Sequence, residues 1–348
     1  MAKILKIKRK NLTLKKPFNE PNFTGKSVLV SDPWEYVELW LRRHEGSDEA
    51  IFYWVQAKQF YNATLTLPLT SAPLTSYYCF LNATKALLLF RKIKFSDWHG
   101  VSGYQKKSKL SLLNEIVIMK SGGVLPALAR CLGDTITDDV SKNKHNLKNL
   151  LRNLVYIHRT YSLTYTSEAS KELFVPLEDV FFVKKRNSRE CWLSAKVDEQ
   201  YATQHTLNKI NNKFERDVNF DEDFIVRFKK RTTWDNNSTI ETPKFINYHK
   251  KVRKNVQYIA GVSTRWYIKR TNIEESIPIS SLPITFAAMH RLSELSRYDP
   301  VTLSKHLSSQ HNWLLSEFIK NAPYQFIHEI ASEITGDEFL IPRSHTGV

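Results

Sequence analysis

The sequence predicts an α+β protein that is mainly a helical bundle, interrupted by a β-rich insert and closed by C-terminal helices. Three observations lead to this prediction. Before residue 162, apolar residues recur at three- and four-residue steps, as on one face of a helix. Short runs of β-branched and aromatic residues, separated by polar turns, then continue to about residue 270. The helical period returns from Pro283 onward.

The first predicted helix begins with a capping signal. Asp32 can accept a hydrogen bond at the helix start, Pro33 fits the first helical position, and Glu35 lies three residues after the cap. Pro73 opens a later helix in the same way. The further helical stretches predicted by periodicity are 48–61, 73–88, 110–120, 147–160, 283–295, 313–319 and 324–334.

The middle of the chain has the composition of strands. The β-type runs are 173–183, 191–197, 224–228, 256–259 and 265–268. We therefore predict four segments, which are a basic N-terminal arm (1–30), a helical core (31–162), a basic β-rich insert (163–275) and a C-terminal helical segment that packs on the core (276–348).

Composition and motifs exclude several classes of protein. Glycine is scarce, with 10 residues in 348, and three cysteines without a close pair offer neither a disulfide framework nor a CxxC zinc site. Gly25-Lys26-Ser27 ends like a P-loop, but Glu20 stands where that motif needs glycine. The sequence contains no HExxH or GxSxG motif. We expect no metal and no cofactor.

The N-terminal segment Met1–Pro17 carries seven Lys and Arg and no acid. No long apolar run follows it, so it lacks the pattern of a signal peptide. The most apolar stretch of the chain, Leu81–Phe90, has about half the roughly 20 residues that a membrane-spanning helix needs. We expect a cytoplasmic protein without membrane contact. The arm is either a flexible tail attracted to polyanions or a solvated strand and loop.

The formal charge of the chain is +16, and the excess is concentrated late in the β-rich insert. Residues 227–270 hold twelve Lys and Arg against two acids, interleaved with aromatic residues. Basic side chains hold phosphates and aromatic rings stack on bases, so this mixture suits RNA or DNA. The alternative is a sheet whose rings face the core. The candidate nucleic-acid-binding residues are Lys229, Lys230, Arg231, Lys250, Lys251, Arg253, Lys254, Arg265, Trp266, Lys269 and Arg270.

Arg152 and His158 form a candidate catalytic pair. A cation that holds a phosphate and an imidazole that moves a proton are sufficient to cleave RNA through its own 2′-hydroxyl. Six positions on a regular helix place the two side chains on diverging faces, so a kink or a symmetric partner is needed to bring them together. The alternative is a chance spacing in a basic chain.

Several segments resemble the YaaC-like family of bacterial proteins. They are 76–88 (SYYCFLNATKALL), 99–102 (HGVS), 295–300 (LSRYDP), 313–318 (WLLSEF) and 323–326 (PYQF). The first is also similar to HEPN domains, which are small helical bundles that often dimerise. Some HEPN proteins are ribonucleases with an Arg and a His on a later helix, and Arg152 and His158 fall in a suitable position.

The resemblance to HEPN domains implies a HEPN-like core, a homodimer, and a role in a bacterial antiviral defence or stress system with a protein partner. We therefore expect a nucleic-acid-binding protein of that kind. The alternatives are a HEPN-type, metal-independent ribonuclease and a protein-binding adaptor without catalysis.

Overall fold

The computed structural model describes residues 2–7, 9–25, 27–30, 32–220, 224–234, 243–261, 263–271 and 273–340. The helices are α1 (Pro33–Arg43), α2 (Asp48–Thr66), α3 (Ala72–Phe90), α4 (Val124–Cys131), α5 (Leu147–Arg152), α6 (His158–Thr164), α7 (Gln204–Lys209), α8 (Pro243–Arg253), α9 (Ser281–Tyr298), α10 (Pro300–Leu307) and α11 (Asn312–Thr335). The strands are β1 (Ala2–Ile4), β2 (Lys6–Ile7), β3 (Lys10–Asn11), β4 (Val28–Leu29), β5 (Val101–Gln105), β6 (Glu115–Met119), β7 (Lys144–Asn146), β8 (Phe174–Lys185), β9 (Glu190–Val197), β10 (Phe214–Arg216), β11 (Ile225–Phe228), β12 (Thr232–Thr233), β13 (Val256–Ile259), β14 (Arg265–Lys269) and β15 (Phe339–Leu340).

The chain divides by its internal contacts into two units. Unit 1 comprises Met1–Leu29, Leu173–Ser276 and Gly336–Val348, and unit 2 comprises Val30–Glu172 and Ile277–Thr335.

Unit 1 is built on an antiparallel sheet with the strand order β10-β11-β9-β8-β14-β13. Two short strands extend it, since β1 pairs with the last residues of β8 and β12 pairs with the first residues of β9. Helix α8 packs on one face, where Phe245 meets Phe182 with ring centroids 5.0 Å apart. The parallel pair β15 and β4 also belongs to this unit.

Unit 2 is organised around α3, which packs against α2, α9 and α11. Buried residues surround most of α3, from Ala72 to Leu88. A three-stranded antiparallel sheet, β5-β6-β7, completes the unit, and α9 contacts both β5 and β6.

A buried polar network joins β6, α9 and α10 in unit 2. Arg291 contacts both Glu115 and Glu294, and Glu115 also contacts His306. Glu294 accepts a further hydrogen bond from the backbone N–H of Gly103, at 3.1 Å.

The prediction of a mainly helical bundle is wrong. The described residues are mixed, with 46% helix and 20% strand, and a large antiparallel sheet dominates one of the two units. A helix was expected over 110–120, but Glu115–Met119 is the strand β6. The run Ile116-Val117-Ile118 consists of β-branched residues, which are favoured in strands because their χ1 freedom is restricted in helices.

Other local predictions are confirmed. Asp32 caps α1 by accepting from the Trp34 N–H at 2.8 Å, and Pro73 lies in the first turn of α3. All five β-type runs contain strands at the expected places, namely β8, β9, β11, β13 and β14. The two helical stretches expected at 313–319 and 324–334 are one helix, α11, which continues through Pro323.

Among the described residues, no helix combines the length and the apolar character that crossing a membrane requires.

Candidate nucleic-acid interface

A basic cleft lies where β8 turns into β9 in unit 1. Its volume is about 720 Å³. The residues that line it come from β1, from the end of β8 and from the turn. They are Ala2, Lys3, Lys184, Lys185, Arg186, Asn187, Ser188 and Arg189. Five of the eight are Lys or Arg, so we call this feature the basic cleft.

The strand register brings these cations together. Lys3 of β1 pairs with Lys184 of β8, and Ala2 pairs with Lys185. Residues that pair directly in an antiparallel sheet project their side chains to the same face, so Lys3 and Lys184 are neighbours. An arm that is remote from β8 in sequence therefore supplies one wall of the cleft.

The turn itself has a defined conformation. Asn187 has φ of 57°, a left-handed backbone conformation that asparagine tolerates better than most residues. The Ser188 N–H donates to the Lys185 carbonyl at 3.3 Å, and the Ser188 hydroxyl accepts from the Glu190 N–H at 3.1 Å. Arg186 and Arg189 are exposed on either side of these residues.

The charged residues that line the cleft are all basic. Among the residues that the structure describes, none of those lining it is acidic. Glu190 follows directly after the turn, and its carboxylate is neutralised by Arg231, whose Nη1 lies 2.9 Å from Glu190 Oε2. A positive concavity of this kind attracts anionic ligands.

Three of the predicted nucleic-acid-binding residues lie at the same end of the sheet as the cleft. Lys229, Lys230 and Arg231 immediately precede β12, and all three are exposed. Strand β12 pairs with the first two residues of β9, and the Trp234 N–H donates to the Arg189 carbonyl at 2.7 Å. Strand β12 therefore flanks the turn on the side opposite β1, and these three residues lead into that strand.

Other predicted residues lie far from the turn. Lys269 pairs with Phe174 at the first residue of β8, and β8 is 12 residues long. The cleft begins at Lys184, near the last residue of β8, so Lys269 and Arg270 lie at the opposite end of that strand. Both side chains are 6% exposed, so they belong to the packing of unit 1 rather than to its surface.

The cations of α8 are partly used within the fold. Arg253 Nε donates to the Lys16 carbonyl at 3.0 Å, and its guanidinium lies over the ring of Trp266 at 5.2 Å. Lys250 lies over the ring of Phe18 at 5.8 Å. The remaining predicted cations, Lys251, Lys254 and Arg265, are exposed.

The aromatic rings of the basic segment are packed into the core, as in the alternative interpretation of the sequence. Trp234, Phe245, Tyr248, Tyr258, Trp266 and Tyr267 are between 2% and 8% exposed. Tyr248 is one example. Its hydroxyl accepts from the Leu193 N–H and donates to the Lys230 carbonyl, each at 3.0 Å, and these bonds hold the ring inside. Base stacking on these rings, including the predicted contact of Trp266, is therefore not available in this conformation.

Arg152 and His158 lie in unit 2, where both side chains are 6% exposed. Arg152 donates to the Lys171 carbonyl at 3.0 Å, and His158 Nε2 lies 3.4 Å from Glu172 Oε1. Burial lowers the pKa of His158, although the hydrogen bond to the Val155 carbonyl and the Glu172 charge oppose this. The pair is engaged with protein groups, and its burial restricts the access of an RNA phosphate.

The cleft could have been found from the sequence. The segment 184–189 reads KKRNSR, with four cations in six residues, and it lies between two runs that were predicted as strands. An asparagine in a short polar link between two strands is a hairpin signal. The contribution of Lys3 could not be found in this way, since it depends on long-range pairing.

The sequence segments with the family resemblance meet in unit 2. The Tyr77 hydroxyl is hydrogen-bonded to His99 Nδ1, and the Tyr77 ring packs edge-on against His290 with centroids 4.9 Å apart. Gly100 has φ of 77°, and a Cβ atom there would lie 2.5 Å from Pro126 Cδ. His99 and Gly100 therefore hold a specific turn next to α3 and α9.

Comparison with known proteins agrees with this resemblance. The model of the YaaC-like protein family matches residues 16–334. No curated protein and no solved structure matches the chain. Because the family match runs through nearly the whole chain, including α3, the His99–Gly100 turn and α9, the chain belongs to the YaaC-like protein family.

Proposed function

We propose that this protein binds nucleic acid through the basic cleft of unit 1. The observation that carries the proposal is a cleft at the β8–β9 turn whose described lining holds five Lys and Arg and no acidic residue. The phosphate backbones of nucleic acids are polyanions that suit such a surface, and their affinity for proteins comes largely from charge.

The net charge of the whole chain is also positive, so it adds a long-range attraction for polyanions. The formal net charge is +16, and the exposed residues Lys229 and Lys230 extend the positive surface beside β12. Binding through phosphates releases condensed counterions, so the logarithm of the association constant should fall by about 0.9 per phosphate contact for each tenfold rise in salt on B-form DNA.

The HEPN-type ribonuclease is the second candidate function, and the burial of Arg152 and His158 ranks it below binding. His158→Ala tests it, since a ribonuclease of this type would lose cleavage of RNA while binding remained.

The protein-binding adaptor would instead co-purify with a stoichiometric protein and without nucleic acid. A role in defence or stress rests on the HEPN resemblance of 76–88.

A matched pair of charge reversals tests the binding proposal. The cleft variant carries Lys3→Glu, Lys185→Glu and Arg186→Glu, three exposed positions. The control variant carries Lys106→Glu, Lys107→Glu and Lys109→Glu, three exposed positions in unit 2 with the same change in net charge. Circular dichroism and thermal melting would show that both variants are folded.

The measurement is fluorescence anisotropy with a labelled mixed-sequence DNA at several salt concentrations. We expect the cleft variant to raise Kd at least tenfold near 0.1 M salt and to lower the salt slope by about 2 to 3, with a much smaller effect of the control variant. Equal weakening by both variants, or by neither, contradicts the proposal. Binding to phosphatidylserine vesicles in place of nucleic acid also overturns it.

A further inference from the structure

We propose that the ligand of the basic cleft is double-stranded DNA, with the β8–β9 turn inserted into the major groove and the flanking strands held on the two phosphate backbones. This inference rests on the proposed function and narrows it from nucleic acid in general to one duplex form.

The first step is the width of the sheet at the turn. At that end the strands lie in the order β1, β8, β9 and β12, because β1 pairs with β8 and β12 pairs with β9. Neighbouring strands are about 4.8 Å apart, so the outer two are separated by about 14 Å. The major groove of B-form DNA is about 12 Å wide. The outer strands therefore match the spacing of the two backbones that border the groove.

The second step is the distribution of charge over these four strands. Lys3 lies on the outer strand β1, and the exposed residues Lys229 and Lys230 lead into the other outer strand, β12. Between them, Arg186 and Arg189 are exposed on the turn, which follows the last ladder pairs described for the outer strands, Ala2 with Lys185 and Thr233 with Glu190. Cations on both flanks suit a ligand with two backbones, and a single strand could engage one flank at a time.

The third step is the burial of the aromatic rings. Proteins that hold single strands without sequence preference combine basic grooves with exposed rings on which bases stack. In this segment the rings are used to build the core, as Trp266 and Tyr258 illustrate at 8% and 3% exposure. Phosphate contacts then carry the binding, and a duplex has the higher charge density.

The fourth step separates DNA from RNA. The major groove of an A-form RNA duplex is deep and narrow, and protein elements do not enter it readily. A β-hairpin turn that carries the exposed Arg186 and Arg189 fits the wider major groove of B-form DNA better. The geometry therefore favours duplex DNA over duplex RNA.

The test compares three labelled ligands of one sequence, each about 20 nucleotides or base pairs long, which is two helical turns. They are double-stranded DNA, single-stranded DNA and double-stranded RNA, measured by anisotropy at one salt concentration. We expect double-stranded DNA to bind at least tenfold more tightly than the other two. Methyl green, which occupies the major groove, should compete with the protein, and netropsin, which occupies the minor groove, should not.

Failure of this inference is distinguishable from failure of the proposed function. If single-stranded DNA or duplex RNA binds as tightly as duplex DNA, and the Lys3→Glu, Lys185→Glu, Arg186→Glu variant weakens all three, the duplex proposal is overturned and nucleic-acid binding stands. Competition by netropsin in place of methyl green overturns the insertion of the turn into the major groove. If the variant weakens none of the ligands, both proposals are overturned.

Discussion

Arg291 donates two hydrogen bonds to a single oxygen of Glu115, from Nε at 3.1 Å and from Nη2 at 2.7 Å. Glu115 is fully buried and Arg291 is 7% exposed, so the ion pair is shielded from water. The other oxygen of Glu115 lies 3.2 Å from Nε2 of the buried His306. Burial opposes ionisation of Glu115, but the hydrogen bonds from His306 and Arg291 outweigh it and hold its pKa below the ordinary value.

The Glu115→Gln variant should be strongly destabilised. It removes the more deeply buried of the two carboxylates that pair with Arg291, the other being Glu294, and breaking a buried pair from one side costs about 3 kcal/mol or more. The free energy of unfolding, from guanidinium titration, should fall by about that amount. The exposed Glu49→Gln of α2 is the control and should change it by less than about 0.5 kcal/mol. Equal changes in the free energy of unfolding for the two variants would show that Glu115 does not stabilise the fold.

The stability of the protein should fall in mild acid, in part because of His290. Burial, followed by the nearby His99 and Arg291, lowers the pKa of His290 to about 3. The unfolded chain binds a proton at this residue below its ordinary pKa of about 6.5, and the folded chain does not. Stability from this group is therefore present above pH 6.5 and is lost as the pH falls from there toward 3.

His290→Asn should make the free energy of unfolding depend less on pH, because the unfolded chain then takes up one proton fewer. Between pH 4 and 6, the slope of the free energy of unfolding against pH should be smaller than in the wild type by about 1.4 kcal/mol per pH unit. Denaturant titrations at several pH values measure it. Parallel curves for the two proteins would show that His290 takes up its proton equally in the folded and unfolded states.

A methyl group at position 103 should disturb the same network from the side of β5. A Cβ atom on Gly103 would lie 2.5 Å from Arg291 Cδ and 3.0 Å from the Ile116 carbonyl, and it would clash with Glu294. We expect Gly103→Ala to lower the free energy of unfolding by about 2 kcal/mol. Gly122→Ala is the matched control, because its added Cβ would meet no atom within 4 Å. If both substitutions are tolerated alike, the close approach of α9 to β5 is not required.

Removing the hydroxyl of Tyr248 should weaken unit 1. Its two hydrogen bonds satisfy the Leu193 N–H and the Lys230 carbonyl, and Tyr248→Phe would take the partner from each of them. We expect a loss of about 1 to 3 kcal/mol in the free energy of unfolding. Tyr298→Phe, at a side chain that is 73% exposed, should have no measurable effect. An unchanged Tyr248→Phe protein would mean that these groups find other partners.

The sequence was sufficient to predict features that depend only on neighbouring residues, such as the start of a helix. Asp32 and Pro33 predicted the start of α1, because capping depends on residues within one turn. Alternation such as Arg265-Trp266-Tyr267 predicted β14 but could not decide which rings were buried. That depends on α8 and on the neighbouring strands, which are distant in sequence.

The shortest strands, which the sequence did not predict, form by long-range pairing. Strand β1 has three residues and exists because it pairs with the end of β8, and β15 has two residues that pair with β4. Strands this short have no periodicity to detect. The same limitation hid one wall of the basic cleft, which comes from Lys3, whereas the other wall, from Arg186 to Arg189, lies within one basic segment of the sequence.

The pairing of distant residues in unit 1 has a consequence for synthesis on the ribosome. Lys15 forms an ion pair with Glu338, 323 positions later, and β4 pairs with β15. Strand β4 therefore stays without its partner, and Lys15 without Glu338, until almost the whole polypeptide has emerged, whereas β1 can pair as soon as β8 is made. Chains that stop short of Glu338 would lack this closure, so nascent or truncated forms are the ones most exposed to aggregation and proteolysis.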